Sequence, residues 1–265
     1  MTKKFHVLII DPQRDFCDDE GALAVPGAHL DMYRLSQMLY RLSDRIECIH
    51  CTLDTHHLFD ISHPIFWIND SGEHPAPFTI ISFDAVQQKK WRTTKQEYQS
   101  YALEYVMRLD ENHRYPLCIW PPHCLIGTSG HNVHHLLSEA LMEWEEKHKA
   151  NVNYILKGTN IKTEHYSAVQ ADVPDPEDPN TMINQSLIDS LKQAGAILVA
   201  GEALSHCVRY TVEDIVSQFT PEEVRKIVLL GDCCSAVNGF EIQAEDFVND
   251  MVKRGVKVSN SIDFH

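Results

Sequence analysis

The sequence predicts an α/β fold: a three-layer α-β-α arrangement built on a mostly parallel, doubly wound sheet. Short continuous apolar runs alternate with helix-period stretches along most of the chain, the pattern of βαβ units whose strands are covered on both faces. Residues that carry chemistry stand directly after several of those runs, where sheets of this kind gather their sites. The 265 residues, 43% of them hydrophobic, supply ample core for one such domain.

Strands are expected at residues 5–10, 46–53, 117–120, 152–156, 197–200, 227–230 and 256–258. Each is a short apolar run, and Asp11 ends the first. Helices are expected at 32–42, 134–144, 182–191, 208–219 and 240–252, where apolar residues recur at helical spacing. In the fourth of these Val208, Val212, Ile215, Val216 and Phe219 carry the period, with Ser205 as the expected N-cap. Residues 64–119 break the alternation. Pro64, Pro75 and Pro77 punctuate a polar stretch, and then Tyr98, Tyr101, Ala102, Tyr105, Val106 and Leu109 mark one amphipathic helix. The domain organisation expected is therefore a single domain over 1–265 with an insertion at about 64–119, placed to form part of a pocket wall or a lid. Trp67 and the adjoining Pro64-Ile65-Phe66 are candidates for that wall or for core.

The formal charge of −15 argues against a nucleic-acid partner, since phosphates demand a basic footprint. No apolar run is long enough for a membrane span, and the N-terminal stretch shows no secretory signal. The eight cysteines show no disulfide spacing, which fits reduced thiols and a cytoplasmic location. Cys48 and Cys51 make a C-x-x-C, but on a strand they point to opposite faces, so they read as core, as do Cys124, Cys233 and Cys234.

Cys207 stands between the apolar run at 197–200 and the first turn of a helix. A helix start favours the thiolate, so Cys207 is a candidate nucleophile. Asp11, at the end of the first strand, is a candidate base for it, and Lys157, at the end of another, would hold it as thiolate while balancing the charge of Asp11. Asp54 and His56 lie two apart at a strand end and converge, with Thr55 turned away. His123 is the natural third member of a metal-ligand set. One carboxylate and two imidazoles describe a catalytic zinc site or equally a non-haem Fe(II) site. His57 is expected to face away, and the sequence does not place His63.

These pieces, in this order, resemble the nicotinamidase/pyrazinamidase branch of the isochorismatase-like cysteine hydrolases. They are Asp11-x-Gln13-x-Asp15-Phe16-Cys17 followed by Ala24-Val25-Pro26-Gly27-Ala28; Asp54-x-His56; Trp120-Pro-x-His123-Cys124-x-x-Gly127-Thr128-x-Gly130; Lys157-Gly158; and Gly201-x-Ala203-x-x-x-Cys207-Val208. The resemblance covers most of the chain outside 64–119. It implies a catalytic triad of Asp11, Lys157 and Cys207, a site for Zn²⁺, Fe²⁺ or Mn²⁺ at Asp54, His56 and His123, and a substrate ring held between Phe16 and Trp120. It also implies a cis peptide between Glu202 and Ala203 and an oxyanion hole made by the N–H groups of Ala203 and Cys207. The implied reaction is hydrolysis of a small aromatic carboxamide, foremost nicotinamide to nicotinate and ammonia, through a Cys207 thioester, as in NAD salvage. A small-molecule substrate is thus the expected partner, with a homo-oligomer left open. The alternatives are an N-carbamoyl or ureide amidohydrolase of the same family, or a catalytically silent binding protein on the same fold. The stretch Leu204-Ser205-His206 and the length between His56 and Trp120 depart from the family pattern and point to a pocket of different shape.

Overall fold

The computed structural model describes residues 4–112 and 114–264; the first three residues of the N-terminal stretch lie outside that range. The strands, in chain order, are β1 (Phe5–Ile10), β2 (Ile46–Asp54), β3 (Trp67–Ile68), β4 (Ile80–Ile81), β5 (Arg92–Thr93), β6 (Leu117–Cys118), β7 (Asn153–Lys157), β8 (Ala196–Gly201), β9 (Ile227–Leu230) and β10 (Lys257–Ser259). The helices are α1 (Arg14–Cys17), α2 (Ala28–Leu42), α3 (Phe83–Gln87), α4 (Gln99–Glu111), α5 (His135–His148), α6 (Gln185–Gln193), α7 (Cys207–Gln218), α8 (Pro221–Val224) and α9 (Glu241–Arg254).

Six strands form one sheet in the order β10-β9-β8-β1-β2-β7, with every pairing parallel. The predicted α/β class is the observed one. The order reverses at β1, so the crevice of a doubly wound sheet falls outside the carboxyl ends of β1, β2 and β8. Strand β1 is buried at all six positions, His6 among its five apolar residues included. Close packing at the strand ends demands glycine: at Gly201 (φ 117°) an added Cβ would stand 2.0 Å from the carbonyl oxygen of Ile10.

The strand expected at 117–120 does not join this sheet. Only Leu117–Cys118 is extended, paired antiparallel with Ile80–Ile81. Pro116, Pro121 and Pro122 bracket the run and have no N–H for a ladder. Its apolar side chains instead join a second hydrophobic cluster, in which Ile61, Phe66, Trp67, Ile81, Tyr105, Val106, Leu109, Leu117 and Ile119 are buried together. Trp67 is fully buried there and donates Nε1–H to the Ile61 carbonyl (2.7 Å), so it belongs to packing. The amphipathic helix read at 98–109 is α4, and its buried Ala102, Tyr105, Val106 and Leu109 are the residues that carried the period. Among the described residues, no helix is long and apolar enough to cross a membrane.

Candidate active site

The carboxyl ends of four parallel strands converge on one buried ammonium group. Lys157, the last residue of β7, places Nζ 2.7 Å from Asp11 Oδ2, 3.1 Å from Asp54 Oδ1 and 3.6 Å from Cys207 Sγ, and donates to the His165 carbonyl at 2.9 Å. Asp11 follows β1, Asp54 ends β2, and Cys207 opens α7 after β8. All four side chains are at most 5% exposed. Asp11 takes a left-handed backbone conformation (φ 44°). There Thr52 of β2 donates its hydroxyl to Asp11 Oδ1 (2.5 Å) and accepts the Asp11 N–H (3.0 Å).

Gly158 lets the β7 end come this close. At its φ of 79°, a Cβ would lie 2.8 Å from Asp54 Oδ1. Gln13 fixes Asp54 from the other side: Oε1 accepts the Asp54 N–H at 2.6 Å, and Nε2 donates to the Asp54 carbonyl at 2.7 Å and to that of His131 at 3.1 Å.

Charge follows from this geometry. Burial alone would lower Lys157, but Asp11, Asp54 and Cys207 together hold it well above its ordinary value, so it is an ammonium. Burial would raise Asp54, yet His56 and Lys157 keep it well below the usual carboxylate range. Asp11 is raised, chiefly by burial, against the pull of Lys157. Cys207 is pushed well up by burial, against the pull of Lys157 and with Asp11 and Asp54 raising it further. The expectation of a preformed thiolate is therefore corrected. The single positive charge is shared between two carboxylates, so the sulfur rests as a thiol hydrogen-bonded to Asp11. Ser205 is not the N-cap either. That position belongs to His206, while Ser205 Oγ accepts the Val237 N–H (3.1 Å) and lies 2.9 Å from His206 Nδ1.

Beside the thiol, Asp54, His56 and His123 bring ligand atoms within 4.8 Å of one another. Asp54 Oδ2 is 3.1 Å from His56 Nε2 and 3.5 Å from His123 Nε2. The far nitrogens are engaged: His56 Nδ1 lies 3.2 Å from Asp60 Oδ2, and His123 Nδ1 lies 2.9 Å from the Pro121 carbonyl. Such partners fix the tautomer that turns Nε2 toward an ion, so the residues present fit a divalent metal. His63, which the sequence did not place, has its ring 5.2 Å from that of His56 and 5.6 Å from that of His123. Its Nδ1 lies near the carbonyls of His57 and Leu58, and its buried Nε2 has no hydrogen-bond partner among the described residues. His57 is exposed, as expected.

Phe16, Trp120, Tyr166, His206, Leu23 and Val237 give the adjoining cavity apolar and aromatic walls, with Asp54, His123, Glu164, Ala203 and Cys207 also lining it. Trp120 donates Nε1–H to the Tyr166 hydroxyl (3.0 Å). Among the described residues, none from 64–119 lines this cavity. That segment reaches the site indirectly, through the Tyr105 hydroxyl, which accepts the Glu164 N–H at 3.0 Å. The peptide between Glu202 and Ala203 is cis, as the resemblance implied. Thr52, Glu164, Tyr166 and His206 were missed as site residues, although His206 lay in the stretch Leu204-Ser205-His206 that departs from the family pattern; His63 was named by the sequence but not placed.

A doubly wound parallel sheet with this cluster at its carboxyl edge has the isochorismatase-like α/β fold. Within that class the chain resembles the nicotinamidase/pyrazinamidase branch. It is 25% identical over 242 residues to the nicotinamidase of Escherichia coli (strain K12), covering 91% of this chain and 85% of that protein. It superposes on an Acinetobacter baumanii nicotinamidase/pyrazinamidase with a TM-score of 0.65 at 22% identity, over 99% of each chain. On the Pyrococcus horikoshii pyrazinamidase, solved in complex with zinc, the TM-score is 0.56 at 18% identity, over 97% of this chain and 99% of that one. No protein-family model matches the chain.

Proposed function

We propose that this protein is a metal-dependent cysteine amidohydrolase that converts nicotinamide to nicotinate and ammonia. The observation that carries the reading is one buried lysine within reach of Asp11, Asp54 and the Cys207 sulfur. It is supported by the curated nicotinamidase relative and the shared fold. Cys207 Sγ attacks the carboxamide carbon while Asp11, whose raised affinity for protons suits a general base, takes the thiol proton. The N–H groups of Ala203 and Cys207 receive the developing oxyanion; that of Cys207 belongs to the first turn of α7, where N–H groups lack intrahelical acceptors. Asp11 returns the proton to the departing nitrogen, ammonia leaves, and a thioester remains. Asp11 then takes a proton from water as its oxygen attacks the thioester carbon and passes it to the Cys207 sulfur as the C–S bond breaks, which releases the acid and restores both groups. Lys157 keeps its proton throughout and balances the charge on Asp11 and Asp54.

Asp54, His56 and His123 would hold the divalent ion, with His63 as a fourth candidate ligand; the donor set suits zinc or Fe²⁺, and the zinc complex of the Pyrococcus horikoshii pyrazinamidase supports zinc. Bound there, the ion supplies Lewis acidity at the edge of the substrate cavity. Phe16 and Trp120 hold the pyridine ring, and residues 64–119 are an insertion within one domain. The test is ammonia release from nicotinamide by the purified protein, with Cys207→Ala and a metal analysis of the same batch. Turnover abolished by the substitution is expected. No turnover in the metal-loaded wild type rejects nicotinamide as substrate.

A further inference from the structure

A second group of imidazoles lies where α1 ends and α5 begins, and it shares no residue with the Asp54 cluster. Asp18 follows α1, His134 is the N-cap of α5 and His135 its first residue. These three bring ligand atoms within 4.8 Å of one another. Asp18 divides its carboxylate: Oδ2 accepts from Arg14 Nε at 2.8 Å, while Oδ1 lies 3.5 Å from His134 Nε2. His29, from the first turn of α2, places Nδ1 3.1 Å from that same His134 nitrogen.

We propose that Asp18, His134 and His135, with His29 beside them, form a second cation site that takes a first-row transition-metal ion of the Zn²⁺ type. The donor set is a carboxylate and imidazoles, which suits such an ion better than Mg²⁺ or Ca²⁺, whose ligands are oxygens. His134 is fully buried, and the nitrogen it turns to Asp18 and His29 is Nε2, at 3.5 and 3.1 Å. Metal–ligand bonds of about 2.0–2.2 Å in a tetrahedral site bring donors to roughly 3.5 Å apart. The exposed His135 and the half-buried Asp18 have the freedom to close that distance. A surface cavity of about 510 Å³, lined in part by Asp18, His29 and His135, admits the ion and its water. On binding, the His29–His134 hydrogen bond is given up, and His29 becomes a fourth ligand or turns outward. The ion would tie the end of α1 to α5. Because α1 carries Phe16, occupancy would stiffen one wall of the substrate cavity.

The test is zinc stoichiometry, by calorimetric titration of chelator-stripped full-length protein and by metal analysis after gel filtration. Two equivalents are expected for the wild type, one for Asp18→Asn/His135→Ala, and one for His56→Ala/His123→Ala. The first double variant should release ammonia from nicotinamide whenever the wild type does. A single equivalent in the wild type, or two persisting in Asp18→Asn/His135→Ala, overturns the proposal. These counts hold whether or not nicotinamide is turned over, so the substrate assignment and the second site fail separately.

Discussion

Replacing Lys157 by methionine keeps an unbranched side chain one atom shorter and removes the ammonium with its hydrogen-bond donors, leaving two buried carboxylates with no cation between them. At an effective dielectric constant of about 20, the contacts at 2.7 and 3.1 Å correspond to attractions of about 6 and about 5 kcal/mol. The variant does not lose that sum, because a stranded carboxylate takes up a proton instead. Asp54 keeps His56 beside it, so Asp11 is the group that protonates. Holding neutral a carboxylate whose unfolded value is about 3.9 costs about 4 kcal/mol at pH 7 and about 2 kcal/mol at pH 5.5. The sign is that of a raised folded-state acid: the penalty is absent below the unfolded value and grows as pH rises toward the folded one. Lys157→Met is therefore expected to melt about 10 °C below wild type at pH 7 and roughly half that below it at pH 5.5, with turnover abolished at both. Paired calorimetric scans of the two proteins at the two pH values read the effect. A deficit equal at both pH values, or under about 1 kcal/mol at pH 7, would refute the placement of Lys157 as the neutralising charge.

Gly158→Ala forces a methyl group to within 2.8 Å of Asp54 Oδ1 in a backbone conformation that L-residues avoid. It should cost both turnover and the zinc held at the Asp54 cluster, read by metal analysis, while circular dichroism stays that of a folded protein. Burial raises Asp172 to about 7 and Glu164 to about 8, so the folded state favours their protonated forms, and stability contributed below the unfolded carboxylate range is lost as pH climbs through 7 and 8. The melting temperature should fall between about pH 4.5 and pH 8 and level off above that, and Asp172→Asn should flatten the slope below pH 7 by about one proton's worth.

The fold was legible because periodicity reports burial, and most of this chain is buried in two layers around a parallel sheet. The run at 117–120 misled for a reason contained in its own flanks: prolines on both sides leave only two residues extended, and these pair with Ile80–Ile81 instead of the parallel sheet. The convergence of Asp11, Asp54, Lys157 and Cys207 could be anticipated because each ends a strand or opens a helix in a sheet whose carboxyl edge is shared. Thr52 and Gln13 acquire their parts only in three dimensions. Nothing in a strand threonine announces that its hydroxyl will serve an aspartate forty-one positions away. The thiolate expectation failed for a related reason, since the sequence names the lysine and both carboxylates but not the distances that put Lys157 nearer Asp11 and Asp54 than the Cys207 sulfur.

Asp54 gives one oxygen to the lysine that serves the sulfur and the other to the imidazoles beside it. A single carboxylate thus belongs to two ligand environments, and its electron density cannot be drawn toward one without being withdrawn from the other. A reversible thiol-directed inhibitor seated on Cys207 and a cation held by the histidines must then alter each other's dissociation constant by an identical factor. Titrating either in the presence of the other measures, in one number, how strongly that carboxylate joins them.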